Sequence, residues 1–86
     1  MIEEIISRCN DITKIELELS RAKMAVKEGN INIEYFTLLA RKYSVDEILV
    51  PYWRKLGDVI ENCRDYVKFH QKLILKLEQE YQSFKK

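Results

Sequence analysis

The fold is decided by the stretch from Leu49 to Phe84, which reads LVPYWRKLGDVIENCRDYVKFHQKLILKLEQEYQSF. Mostly apolar side chains recur in it at alternating steps of four and three residues, which is the spacing along one face of a helix. This row contains Leu49, Trp53, Leu56, Ile60, Cys63, Val67, His70, Ile74, Leu77, Tyr81 and Phe84. Five heptads of this spacing predict one long helix, from about residue 45 to about residue 84, that packs lengthwise on another helix.

The N-terminal half carries a second helical stripe. Its apolar residues are Ile2, Ile5, Cys9, Ile12, Leu19 and Val26, with Ile6, Ile15 and Ala22 beside them. Gly29 is suited to the left-handed conformation that ends many helices, so the stripe predicts a helix over residues 2–28. Asn30 and Asn32 offer side-chain caps for a shorter helix over 33–43, although Tyr35 and its neighbours would also fit a strand. Ser44 and Glu47 have the spacing of a capping box at the start of the long helix.

These elements predict one all-α domain spanning residues 1–86. The helix order is long, short, long, and the expected architecture is an antiparallel, coiled-coil-like hairpin. An additional apolar row on the last helix would remain exposed on such a hairpin, so we expect the chain to dimerise into a helical bundle. The residues expected at the dimer interface are Ile15, Ala22, Trp53, Val59, Tyr66 and Leu73.

The apolar rows also predict a register between the helices. If the two shorter helices lie end to end along the long one, residues whose numbers add to 86 face each other, for example Leu19 and Val67. The same register brings together Glu16 and His70, which we expect to form a polar pair that disfavours slipped registers. The alternative is that Glu16 points to solvent and His70 bonds to a backbone carbonyl.

Composition and charge exclude several classes of function. Fifteen Lys and Arg against fourteen Asp and Glu give a formal charge of +1, with no basic half to attract nucleic acid or an anionic membrane. The N-terminus lacks the pattern of a signal peptide, and no apolar run approaches the roughly 20 residues that span a bilayer. We therefore expect a cytoplasmic protein. Cys9 and Cys63 are expected to be reduced, and the spacing of Cys and His residues predicts no metal site and no cofactor.

The segment from Leu39 to Gly57 resembles the DNA-binding helix-turn-helix of mercury-resistance-type regulators. Ala40 matches the small residue at the helix crossing, Ser44 stands at the turn, and apolar side chains stand where that motif buries them. The resemblance implies a DNA-binding regulator that uses residues 36–57. The base-facing positions would be Asp46, Glu47, Pro51 and Tyr52, which include two acids and no Arg, Asn or Gln. This regulator is therefore the alternative to our main hypothesis.

The helix order is also similar to that of small all-helical chorismate mutases, which are dimers of comparable length. That resemblance implies a site built from inward-facing arginines and a lysine. Arg8, Arg21, Lys23 and Lys27 do not match that spacing, and Glu34 lacks the neighbouring basic residue. We therefore do not expect an enzyme. The main hypothesis is a protein–protein interaction module, an adaptor, regulator or assembly factor, which acts as a homodimer and binds another protein.

Overall fold

The chain folds into three helices in the computed structural model, which describes residues 1–43 and 50–85. They are α1 (Ile2–Arg8), α2 (Ile12–Tyr43) and α3 (Val50–Lys85). The side chains of Tyr43, Val50 and Trp53 lie outside the described part. The prediction of an almost entirely helical chain with two long helices packed on each other is confirmed. The predicted helix order is wrong, because the observed order is short, long, long.

A break between α1 and α2 divides the stripe for which the sequence predicted one helix. α1 ends at Arg8, because the following residue, Cys9, has a φ of −87° and a ψ of 75°, which are not helical. Asp11 then caps α2, because its Oδ1 accepts a hydrogen bond from the backbone N–H of Lys14 at 2.9 Å. Asn10 adds a second local bond by accepting one from the Lys14 ammonium group at 2.9 Å. The cap on Asp11 satisfies a backbone N–H at the start of α2 and favours the beginning of a new helix there.

Gly29 does not end a helix, so the boundary predicted there is wrong. α2 continues through it to Tyr43, and residues 30–35 are helical. Gly29 is buried against α3, and a β-carbon at this position would overlap the Cγ2 methyl group of Val67 and touch the ring of Tyr66. The residue is needed for the close approach of the two long helices, and not for a left-handed turn.

The contact between Gly29 and Val67 sets an antiparallel register in which facing residues add to 96. The predicted sum of 86 is therefore wrong by about three helical turns of one partner. The seam of α2 in this register is Ile15, Leu19, Ala22, Val26, Gly29, Ile33, Phe36 and Ala40, each buried or half-buried. The α3 seam agrees with the sequence prediction from Leu56 to Tyr81, whereas Phe84 is exposed.

α1 folds back onto the end of the hairpin and makes that end a three-helix bundle. The buried core there contains Cys9, Ile15, Leu19, Ala22, Leu73 and Leu77. Ile2, Ile5 and Ile6 of α1 pack on this core from the outside, together with Phe69 of α3. The other end has two helices only within the described residues. The molecule is consequently long and thin, with extents of 59 × 19 × 14 Å.

Candidate interaction surface

Four large apolar side chains form a straight row on the outside of α2. Leu17, Met24, Ile31 and Leu38 follow one another at intervals of seven residues and are 49%, 60%, 55% and 57% exposed. Each lies two residues from a seam position, and two helical residues rotate by about 200°, so the row faces directly away from α3. We call these four residues the outer row. Isolated exposed apolar residues are common, but a heptad row of four is the pattern of a helix-packing surface.

Charged side chains border the outer row. Arg21, Lys27, Glu28 and Glu34 are exposed at positions three or four residues from its members. Arg21 pairs with Glu18 at 3.2 Å, and this exposed pair contributes little to stability. The ring of Tyr35, also exposed, extends the apolar surface next to Ile31 and packs edge-on against Phe36. An apolar centre with a charged rim is the usual composition of a protein–protein interface.

The sequence analysis missed the outer row, although its signal is in the sequence. Leu17 and Met24 were placed on a first helix, while Ile31 and Leu38 were placed beyond a break at Gly29. A repeat of seven residues that crosses a predicted break is evidence against the break, because a turn would rarely preserve the helical phase. Following the repeat would have joined both segments into α2.

The six residues predicted at a dimer interface differ in their exposure. Ile15, Ala22 and Leu73 are buried inside the chain, because α1 covers this part of the hairpin. They are therefore not exposed on a single folded chain, and their place at a dimer interface stays a prediction. Val59 and Tyr66 remain 36% and 47% exposed, as an interface would require. The side chain of Trp53 lies outside the described residues.

A groove between α2 and α3 lies in line with α1, on the part of the hairpin that α1 does not cover. Its walls include Gly29 and Asn32 from α2, and Val59, Cys63 and Tyr66 from α3. Tyr66 follows Val59 by seven residues and precedes Leu73 by seven, so all three lie in one row on α3. α1 covers Leu73 and leaves Tyr66 and Val59 open. We call this uncovered part the open groove.

Glu16 and His70 are not brought together. The Nδ1 of His70 donates a hydrogen bond to the carbonyl of Tyr66 at 2.8 Å, since a carbonyl can only accept. Glu16 is exposed and lines a groove with Tyr81 and Gln82. In the observed register it faces α3 at a level about ten residues from His70, a separation of roughly 15 Å. The structure thus has the arrangement given above as the alternative to the pair.

The two cysteines lie in different surroundings, and both are free thiols. Cys9 is buried at the α1–α2 connection, and its Sγ lies 3.3 Å from the carbonyl oxygen of Ile5. Burial, together with the nearby carboxylate of Glu18, raises the pKa of the Cys9 thiol. Cys63 is half-buried in the open groove. Cys9 is therefore the less reactive of the two thiols.

The two alternative resemblances meet the structure in different ways. The helix-turn-helix-like segment has residues 36–43 on α2 and residues 50–57 on α3, while its turn at 44–49 lies outside the described residues. Ala40, its small crossing residue, is buried beside Gly57 and Ile60 in the antiparallel seam. The chorismate-mutase-like layout requires a long, short, long order of helices. The observed chain instead begins with the short helix α1.

Comparison with known proteins gives no match: no family model fits the chain, and neither does any curated protein or solved structure. Across residues 1–43 and 50–85, no helix has the length and hydropathy needed to cross a membrane. The same residues contain no cluster of three His, Cys, Asp or Glu side chains that could hold a metal ion.

Proposed function

We propose that the chain is a small cytoplasmic protein–protein interaction module that acts as a homodimer and binds a helix of a partner protein along the outer row. The observation that carries the proposal is the row itself, Leu17, Met24, Ile31 and Leu38, exposed at four successive heptad positions. A partner helix with its own apolar heptads would match this spacing over about 30 Å.

The surface area of the chain supports the need for a partner. Its accessible surface is 6685 Å², whereas the scaling of monomeric proteins gives about 5,400 Å² for a mass of 10.3 kDa. The excess of about 1,300 Å² exceeds the roughly 800 Å² that each partner loses in a standard interface. One interface of standard size would therefore remove more than half of this excess surface.

The energy available from the outer row indicates how tightly it binds. Each of its side chains is about half exposed, so covering the remainder contributes about 1 kcal/mol, or about 4 kcal/mol for the row. Association entropy alone opposes binding by at least a similar amount. The row by itself thus supports weak, reversible binding. Tighter binding needs further binding free energy from its rim charges or from a second contact.

Affinity capture with matched variants tests the partner surface. The double variant Met24→Glu with Ile31→Glu places two charges in the outer row, and the control Asn30→Glu with Gln79→Glu places two on exposed polar positions. We expect the control to retain the proteins that the wild type captures and the row variant to lose them. Equal capture by all three would contradict the proposed surface.

Sedimentation equilibrium tests the homodimer separately. We expect dimers at tens of micromolar protein, well above the dissociation constants of most stable dimers. A monomer throughout that range would refute this part of the proposal while leaving the outer row to be judged by the capture experiment.

A further inference from the structure

α1 is a small element held by a limited contact. It has no buried residue, and Ile2, Ile5 and Ile6 are only half-buried where they pack on the core. Three residues, Cys9, Asn10 and Asp11, connect it to α2, and none of them is a glycine or a proline. A short connection between a terminal helix and the rest of a fold is a common hinge for exchange between identical chains.

The apolar row of α1 is in phase with the seam of α2. Ile5, Ile12 and Leu19 are spaced by seven residues across the connection, and Leu19 is a seam residue. If residues 9–11 became helical, α1 and α2 would form one helix over residues 2–43 with a continuous row on its inner face. The sequence pattern therefore fits both the folded-back hairpin and the straight helix.

Straightening this connection would leave two surfaces without partners in the same chain. In the observed register Ile5 would lie beyond Lys85, the last residue of α3, so the inner face of α1 would have no α3 residue opposite it. At the same time, the core that contains Leu73 and Leu77 would lose the cover of Ile2, Ile5 and Ile6. Both surfaces are apolar, and each is already known to fit the other, because they are in contact in the folded-back chain.

The orientation of α1 allows a second copy to restore both contacts. Ile5 and Arg8 of α1 share a groove with Leu17 and Glu18 of α2, so α1 folds back along α2. Because α2 and α3 are antiparallel, α1 runs parallel to α3. Two copies can lie end to end and inverted, so that the straightened α1 of one enters the other. Its N-terminus is then directed toward the middle of that other copy, which is the direction that α1 has in the folded-back chain. A two-fold axis near residue 10 therefore places each α1 in its native orientation on the other chain.

We propose that the homodimer forms by reciprocal exchange of α1, so that the partner's copy of this helix covers the core residues at the end of each hairpin. The inference rests on the homodimer of the proposed function and adds the surface and the occupant. In this dimer Ile15, Ala22 and Leu73 lie at the contact between chains, as the sequence analysis predicted. Met24, Ile31 and Leu38 of the outer row remain free on both copies, whereas Leu17 shares a groove with Ile5 and Arg8 of α1.

Zero-length cross-linking of an isotope mixture tests the exchange. Glu3 of α1 and Lys76 of α3 line the same groove, so a carbodiimide can join the carboxylate to the amine. Isotope-labelled and unlabelled chains are unfolded together in equal amounts, refolded, cross-linked and digested. For full exchange, about half of the Glu3–Lys76 linkages join a labelled chain to an unlabelled one. Linkages confined to single chains would overturn the exchange.

Substitutions at Ile12 provide a matched pair. Ile12 is the first residue of α2, where proline fits the folded-back chain, but proline inside a continuous helix is strongly unfavourable. Ile12→Pro is expected to lower the fraction of mixed linkages by about a hundredfold or more. Ile12→Ala removes the same side chain and is expected to retain them, with circular dichroism confirming that both variants remain helical. Equal mixed linkage in the two variants would overturn the straight-helix route.

Small-angle scattering separates failure of the exchange from failure of the homodimer. The exchanged dimer lies end to end and is roughly 120 Å long, twice the 59 Å extent of one chain. A dimer of about 60 Å would be side by side, which overturns the exchange and retains the homodimer. A species of monomer mass at tens of micromolar would overturn both.

Discussion

The same substitution at the two glycines of the chain should have opposite effects on stability. Gly29 and Gly57 both lie inside long helices, at α2 and α3 respectively. A β-carbon at Gly29 would overlap Val67, whereas a β-carbon at Gly57 would meet no atom within 4 Å. Alanine at either position therefore gains the same helix propensity, and the structural difference between the two variants is the contact with α3.

The expected magnitudes follow from two terms. Replacing glycine by alanine inside a helix is favourable by about 0.5–1 kcal/mol, which is the full expectation for Gly57→Ala. At Gly29 the inserted methyl group forces the helices apart or displaces Val67, and such overpacking costs about 1–3 kcal/mol. Gly29→Ala should consequently destabilise the protein by about 1 kcal/mol net, and the two variants should differ by about 2 kcal/mol.

Urea denaturation followed by circular dichroism measures this difference. The two variants and the wild type are compared at one fixed protein concentration, since a dimer's apparent stability changes with concentration. The midpoint should rise for Gly57→Ala and fall for Gly29→Ala, with similar slopes. If Gly29→Ala were as stabilising as Gly57→Ala, Gly29 would not face α3, and the register whose facing residues add to 96 would be refuted.

Four further predictions concern the core, the helix cap, the reactivity of the thiols and the pH dependence of stability. Leu77→Ala should destabilise the protein by about 2–5 kcal/mol in the same urea assay, because Leu77 is fully buried, whereas the exposed Leu75→Ala should change stability by less than about 0.5 kcal/mol. Asp11→Ala should cost about 1 kcal/mol by removing the cap of α2, and Asp11→Asn should retain most of the stability. Iodoacetamide should modify Cys63 faster than Cys9, whose thiol is buried and has a raised pKa. The raised pKa of Cys9 means that the folded state favours the protonated thiol. The contribution of this thiol to the stability of the fold is therefore present at neutral pH, and it should be lost as the pH rises above about 8.5 toward the folded pKa. Cys9→Ala should remove this part of the loss of stability at alkaline pH. If stability depended on pH in the same way in the variant and the wild type, the prediction would be contradicted.

The sequence was sufficient to predict α3 because one helix carries an unbroken heptad row. From Leu56 to Tyr81 every predicted seam position is buried or half-buried. Such a row specifies a helix and its inner face, since both depend on residues close together in the sequence. The pairing of two rows is different. Apolar heptads fit one another equally well after a shift, so periodicity alone could not distinguish a sum of 86 from a sum of 96.

The errors at Gly29 and at Asn10 have different physical origins. Glycine is favourable at a helix end because it adopts a left-handed conformation, and it is favourable at a helix crossing because it has no side chain. The two uses look alike in one sequence, and only the partner helix distinguishes them. The polar pair Asn10 and Asp11 was overlooked because the apolar stripe continues in phase on both sides of it.

The predicted pair of Glu16 and His70 failed because its argument depended on the register. Each side chain was correctly identified as unusual among apolar neighbours, but the conclusion that they meet required the sum of 86. His70 instead satisfies its ring nitrogen within its own helix, one turn back at Tyr66. A polar residue in a seam does not need a partner across the interface when a carbonyl of the preceding turn is within reach.

The shape of the hairpin explains why its apolar residues face outward. Small residues of the α2 seam, Ala22, Gly29 and Ala40, allow α3 to approach closely, and the bundle is correspondingly only 19 × 14 Å across. A seam this narrow holds one apolar row from each helix, yet 47% of the chain is hydrophobic. The remaining apolar side chains must lie outside the seam, where α1 covers some of them, as at Leu73. The outer row and the open groove have no such cover, and they keep the same heptad period as the seam. Since random leftover hydrophobicity would not preserve that period, the period supports the proposal that further helices pack on this surface.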